Sequence, residues 1–379
     1  MSFIQKKNKP SNNNMTRDKI AIILANDGSD VRIGKVCRSL CRLNKEIHFI
    51  GWDREPDKQT PTNLGATVSH LLKYSTKSRK LTILGRIRYI IFTIKILKSI
   101  KPNIIIAVNE DTAFQLLLVK RVLYRYIICD IFDPLPARCT QYGFAVRKIA
   151  RLVGTIVYKF SDKLIATDST RFDQMGQYKQ KTIIVENVPE DPGPSLSLRL
   201  PIGDIKIWVA GSLHRHRGLK QILLAIDRTD ATIIAAGWPN DVFAQETFIK
   251  HPKVKYLGVI TAPESLQNAA KCDAVFAYYA PISENNINAS PNKLHDAMSI
   301  GRPIILNSEV KISDFVREKK IGWTCPYNDV DKLTTIIDNL GAKRNTLPSF
   351  AIHARSTFKG GNDWSAMEKR LATLLNSLG

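Results

Sequence analysis

The sequence predicts an α/β protein of two doubly wound domains, each a parallel sheet wrapped in helices, with the two sheets facing a central cleft. Three observations carry this. Short apolar runs alternate with segments of helical length from Lys19 onward, and a second series of the same kind starts at Lys206. Between them lies ENVPEDPGPSLSLRLPIGD, Glu186 to Asp204, where Pro, Gly and Ser are too dense for a regular element. At 379 residues the chain exceeds what one core holds and suits two. The expected layout is a disordered leader over 1–18, a first domain over 19–185, a linker over 186–204, a second domain over 205–360 and a C-terminal helix over 361–379.

Each element has its own signal. KIAIILAND, from Lys19, is an apolar run that ends in a turn at Gly28; a helical stretch from Val31 to Leu43 and the run EIHFIGW follow. Further runs at Asn103 to Val108, Tyr126 to Ile131 and Lys163 to Thr167 read as buried parallel strands, because both faces of such a strand are covered by helices. In the second half the strands are KIWVAGS, ATIIAAG, KVKYLG, DAVFAYY, PIILN and WTCPY, with helices expected from Leu219, Pro263 and Asn292. The last segment carries Trp364, Met367, Leu371 and Leu374 at helical spacing and reads as a packing helix.

Composition narrows the function. Hydrophobic content of 44% with 24% charged residues is that of a globular protein. The best spanning candidate, Leu81 to Leu97, is broken by Arg86, Arg88 and Lys95, so no transmembrane segment is expected. The start of the chain has lysines without an apolar run behind them, which points to a cytoplasmic protein. Six cysteines without a CxxC pair or zinc spacing read as reduced thiols, and His214 with His216 lacks a third ligand, so no metal is expected.

The net charge of +22 is unevenly placed: residues 1–185 hold 33 Lys and Arg against 14 Asp and Glu. No acidic residue falls between Asp57 and Glu110, where Lys73, Lys77, Arg79, Lys80, Arg86, Arg88, Lys95, Lys98 and Lys101 interleave with Leu81, Ile83, Ile87 and Ile91. Such a surface needs a polyanion. With no nucleic-acid module and no exposed aromatic platform, the expected partner of 73–101 is an anionic membrane surface rather than nucleic acid. The protein is then held peripherally at the inner face of the plasma membrane.

Two segments of the second half carry chemistry. GSLHRHRG, Gly211 to Gly218, runs from a strand end through a cationic loop into a helix start, where backbone N–H groups with Arg215 and Arg217 attract phosphate oxygens. The bare alternative is a solvated basic loop. SPNKLHDAMSIGRPIIL, from Ser290, puts Pro291, Asn292 and Lys293 at the mouth of a helix and Asp296 one turn inside it. Lys293 and the helix start can meet a diphosphate while Asp296 accepts from ribose hydroxyls; a first-turn carboxylate that merely favours its helix is the alternative. Gly28 is either a plain turn glycine or the place where a substrate passes close to backbone. Asp130 and Asp133 either end a strand or reach the cleft.

With these motifs in order, the sequence resembles the retaining glycosyltransferases of the GT-B fold, family four. PNKLHDAMSIGRPIIL resembles that family's nucleotide-sugar helix and GSLHRHRGLKQIL its phosphate loop; IIAAG, ending at Gly237, and YLGVI resemble the strands between, and NDGSDVRIGKVCRSLCR and CDIFDPL resemble first-domain elements. The likeness implies Rossmann-like domains and transfer of a sugar, with retention and without metal or cofactor, from a nucleotide-diphosphate sugar to a lipid-linked or polysaccharide acceptor in capsule, O-antigen or exopolysaccharide assembly. It assigns catalysis to Arg217, Lys293 and Asp296 and donor binding to Gly211, Ser212, Arg215, Gly237, Asn288, Ser290, Pro291 and Asn292. Acceptor and phosphate contacts fall to Gly28, Asn109, Glu110, Asp111 and Asp133.

The chain departs from the family pattern at three places. Asn288 stands where the first of two family glutamates belongs and Asp296 at the second, Ser212 replaces a loop arginine, and a family histidine is missing where Asn109 to Asp111 stand. No catalytic base can be named; a departing diphosphate can itself take the acceptor's proton from an oxocarbenium-like transition state. A non-catalytic nucleotide-sugar-binding or scaffold protein is the alternative that these departures keep open. A dinucleotide enzyme is disfavoured because no G-x-G-x-x-G follows either first strand.

Overall fold

The computed structural model describes residues 18–56, 62–75, 79–139, 142–197, 201–342 and 344–378. Residues 1–17 of the leader expected over 1–18, and Lys77, lie outside the described residues. Contacts group the chain into two compact units, one of 1–106 with 119–126 and one of 107–118 with 127–379, so the stretch 186–204 lies within the second unit.

Seven strands form the first sheet: β1 (Lys19–Leu24), β2 (Glu46–Asp53), β3 (Val68–Lys73), β4 (Ile104–Val108), β5 (Tyr126–Ile131), β6 (Lys163–Ala166) and β7 (Thr182–Ile184), in the order β3-β2-β1-β4-β5-β6-β7. β1 pairs parallel with β2, β2 with β3, β5 with β6 and β6 with β7. The inner strands are continuous apolar runs because both faces are covered: Ile20 to Ile23 and Ile104 to Val108 are all buried. The two strands that the sequence did not announce, β3 and β7, are the sheet's edges, one half-exposed and the other three residues long. Asp30 caps the helix Val31–Arg42 by accepting the Ile33 N–H at 3.0 Å.

The second sheet comprises β8 (Lys206–Leu213), β9 (Thr232–Pro239), β10 (Val254–Tyr256), β11 (Ala274–Ala277), β12 (Ile304–Asn307) and β13 (Gly322–Cys325), all parallel in the order β10-β9-β8-β11-β12-β13. Neighbours along β8 serve opposite faces: Ile207 and Val209 join a core with Leu219, Ile222 and Ile226, and Trp208 joins one with Val275, Leu294 and Met298. That alternation is why the run 207–210 is continuously apolar. The two α/β sheets with their helices are the two Rossmann-like domains expected from sequence.

The C-terminal helix Trp364–Asn376 starts on Asp363, which accepts the Ala366 N–H, and buries Trp364, Met367, Leu371 and Leu374. It attaches to the first sheet's edge: Arg370 donates to the Ile184 carbonyl of β7 at 3.0 Å. Among the described residues no helix is long and apolar enough to cross a membrane.

Candidate functional site

In the second sheet the order reverses between β8 and β11, and ligands of doubly wound folds sit at the carboxyl ends of the strands at such a reversal. β8 runs out through Gly211 and Ser212. Gly211 has φ +112° and pairs with Gly237 of β9, where a Cβ would stand 1.9 Å from the Gly211 carbonyl oxygen, so only glycine fits there. The chain then makes a 3-10 turn over Arg215–Arg217 and enters the helix Leu219–Ile226 through Gly218 at φ +70°. A Cβ on Gly218 would meet the Tyr278 Cβ at 2.5 Å, and no side chain caps this helix. Its first N–H groups therefore have no side-chain acceptor at the Gly218 cap.

Arg217 lies beside this helix start with its guanidinium over the Tyr279 ring, 3.8 Å from the centroid. Its Nη1 is buried and has no hydrogen-bond partner. A buried cationic donor without an acceptor is costly by about 1–3 kcal/mol, so the position suits an anion. The platform under Arg217 is fixed from the neighbouring strand ends. Asn307 of β12 accepts the Tyr279 N–H at 2.8 Å and donates to its carbonyl at 3.0 Å, and Glu309 accepts from Asn307 and from the Tyr327 N–H beyond β13.

The other cation of the loop is engaged elsewhere. Arg215 gives both its backbone N–H, at 2.9 Å, and its Nε, at 3.0 Å, to Asp241, and its side chain is largely exposed. Burial resists ionisation of Asp241, yet the N–H groups of Arg215 and Ala244 outweigh it and hold its carboxyl below the usual range. Ser212 accepts from Asn240 at 2.7 Å. The loop after β9 is thus bolted to the chain leaving β8 at two points, and Trp238, near the end of β9, is 54% exposed.

The second motif forms the helix Asn292–Ser299, with Pro291 at its cap position and no side-chain cap. Lys293 and Asp296, expected to serve phosphate and ribose separately, bond each other, Nζ to Oδ2 at 2.7 Å, and both are mostly buried. Asn288 is buried and its Oδ1 has no partner. Its carbonyl faces Arg171 Nη1 at 3.4 Å, and Arg171 also donates to Asp133 at 2.5 Å and to Asp168. Arg171 thus gathers Asp133, Asp168 and the Asn288 main chain. Sequence reasoning missed it, although Asp168 followed by Ser, Thr and Arg171 has the form of a helix cap, and Asp168 accepts the Arg171 N–H at 2.8 Å.

At the end of β4, Asn109 takes a positive φ of 66° and its Oδ1 accepts the Phe132 N–H at 2.9 Å. Glu110 begins the next helix wholly buried. Its Oε1 accepts the Leu135 N–H at 3.0 Å and the Tyr158 hydroxyl at 2.7 Å, and burial pushes its pKa up against those bonds and the Arg138 charge. Asp111 pairs with Arg138 at 2.8 Å. Gly28, in the other unit, has φ +87° and a Cβ there would press on Phe49 and Leu64 at 3.1 and 3.2 Å. Among the described residues no three His, Cys, Asp or Glu are grouped to hold a metal ion.

No protein-family model matches the sequence. Over 321 residues, which cover 74% of this chain and 78% of the other, it is 21% identical to the probable glycosyltransferase WbjE of Pseudomonas aeruginosa. Sucrose-phosphate synthase from Thermosynechococcus elongatus matches the fold with a TM-score of 0.75 at 12% identity, over 96% of this chain and 99% of that one. HepE of Anabaena, solved with UDP and glucose, matches with a TM-score of 0.69 at 15% identity, over 95% and 100%. The fold is GT-B, and these likenesses support placement in the GT-B glycosyltransferase superfamily.

Proposed function

We propose that this chain is a glycosyltransferase that binds a nucleotide-diphosphate sugar at the carboxyl ends of β8 and β11 and transfers the sugar, with retention and without metal, to a lipid-linked or polysaccharide acceptor of a cell-surface polysaccharide. It works peripherally at the cytoplasmic face of a membrane, attached through residues 73–101, and is built of two domains, 19–185 and 205–360. The observation that carries this reading is Arg217: a partly buried guanidinium stacked on Tyr279, with a buried, unpartnered Nη1 beside an uncapped helix start. Together they neutralise the charge that grows on a departing diphosphate. Gly211 and Gly237 let its oxygens approach backbone, Lys293 serves it from the second helix, and Asp296 and Asn288 take the hydroxyls of ribose and sugar. Acceptor binding falls to Gly28, Asn109 to Asp111 and Asp133.

HepE has been solved with UDP and with UDP-glucose, which supports UDP as the first nucleotide to try. Thermal melting is expected to rise with one of UDP, GDP, dTDP or CMP, because a ligand of the folded state stabilises it by mass action. Trp238 should be quenched as the nucleotide arrives, since the other four tryptophans are buried or half-buried. A chain that responds to none of these nucleotides does not have this function. Asn288 at the family glutamate position and the closed Lys293–Asp296 pair favour a second reading, a nucleotide-sugar-binding partner without turnover; release of free sugar from the responding donor decides for the enzyme.

A further inference from the structure

The helix Phe144–Phe160 has two faces of different character. Inward it presents Ala150, Gly154 and Val157, small enough for close packing, and Tyr158, whose hydroxyl holds Glu110. Outward it leaves Phe144 78%, Ile149 62% and Leu152 60% exposed, with Val146 and Phe160 also in the open. Large apolar side chains gathered on one face of a folded chain mark a contact surface. Their spacing sorts them: Ile149, Leu152 and Phe160 run along one side of the exposed arc, and Lys148, Arg151 and Lys159 repeat the same three- and eight-residue steps along the other.

We propose that this face is a lipid-embedding surface that lies in the headgroup layer of an anionic bilayer, with Phe144, Ile149 and Leu152 among the acyl chains. The charge identifies the occupant. Between Asp133 and Asp162 there is no acidic residue, and the helix carries Arg147, Lys148, Arg151 and Lys159. A second copy would bring the same cations face to face. An anionic bilayer instead lets long basic stems lie along the apolar strip while their heads reach lipid phosphate. The proposal rests on the reading above that the chain works at a membrane, and it adds a surface distinct from residues 73–101. It also gives the docking a purpose: Tyr158 on the inner face ties the helix to Glu110, so the depth of the helix in the bilayer sets the depth of the acceptor residues at 109–111.

Flotation of the full chain with vesicles of phosphatidylglycerol and phosphatidylethanolamine, against phosphatidylcholine alone, tests this. The wild type is expected to float with the anionic vesicles. A variant with Phe144→Ser, Ile149→Ser and Leu152→Ser is expected to partition at least about tenfold more weakly, because three side chains lose their apolar burial. It should keep its melting temperature and its stabilisation by nucleotide, which separates failure here from failure of the nucleotide site. A Leu152→Trp chain should be quenched by brominated acyl chains. The inference is overturned if the triple variant floats like the wild type, if the new tryptophan is not quenched, or if the variants instead disperse a dimer that never bound vesicles. Loss of flotation on Arg86→Gln, Arg88→Gln and Lys95→Gln, with none in the triple variant, leaves attachment through 73–101 standing and this surface refuted.

Discussion

Arg215 and Arg217 stand two residues apart in one turn, yet their surroundings predict different phenotypes. Arg217 is pinned on Tyr279 with an open Nη1, whereas Arg215 spends its donors on Asp241 in solvent. Titration calorimetry is expected to show that Arg217→Ala weakens nucleotide-diphosphate binding by about 100-fold, the worth of two charge-assisted hydrogen bonds. Arg215→Ala should change it by less than about threefold, since an exposed ion pair contributes little. The opposite ranking would move the diphosphate to the far side of the loop. A third arginine has no such role: Arg302 is fully buried and donates to the carbonyls of Ala270, Cys272 and Gly301, closing two helix ends. Burial holds its pKa down to about 10. Arg302→Leu should cost about 3 kcal/mol in urea unfolding by stranding those acceptors, without altering nucleotide affinity in the protein that still folds.

Among the elements, the stretch 186–204 is fastened by charge. Asp191 pairs with Arg355, at 2.8 Å, and with Lys359, both on the helix Leu347–Lys359. Burial opposes ionisation of Asp191, but the bonds from Arg355 and Lys359 outweigh it and hold its carboxyl well below the ordinary 3.8. A folded value below the unfolded one makes this stabilisation complete above that ordinary value and drains it as pH falls below it. Melting of Asp191→Asn should therefore lose less stability than the wild type between about pH 5 and pH 3; parallel acid limbs would mean that the pair does not hold in solution. What the sequence made legible follows a similar division between inside and edge. Central strands such as Ile104–Val108 were readable because burial on both faces leaves an unbroken apolar run. β3 and β7 were not, since an edge strand needs neither length nor apolarity. The helix Phe144–Phe160 escaped because apolar residues occupy its outer face as well as its inner one. Around the candidate site, the glycines and Arg217 could be singled out from local order, but Tyr279, Asn307, Glu309 and Tyr327 meet only because β11, β12 and β13 lie side by side, and parallel pairing leaves no local trace in sequence. Arg171 escaped for the same reason: beyond its local bond to Asp168, its partners Asp133 and Asn288 are 38 and 117 residues away.

Over the whole molecule the charge is unevenly divided, and the two proposed functions fall on either side of that division. Residues 1–185 hold nearly all of the net +22, and the remainder, which contains Arg217 and Lys293, is close to neutral. A nucleotide site in the near-neutral half needs only local cations, held by packing and shielded from bulk salt. A lipid surface needs many cations exposed together, each contributing about 1 kcal/mol near anionic lipid and each open to screening. The two proposed activities must therefore respond differently to ionic strength. Raising salt from about 50 mM to about 300 mM shortens the screening length roughly twofold. Vesicle binding of the full chain is expected to fall by more than tenfold over that range, an estimate for several screened cations acting together. Nucleotide affinity, read by calorimetry in the same buffers, should change by less than about threefold because its cations are partly buried. Should both decline in parallel, the nucleotide is held by exposed charge, and Arg217, with its buried Nη1, is not the group that grips it.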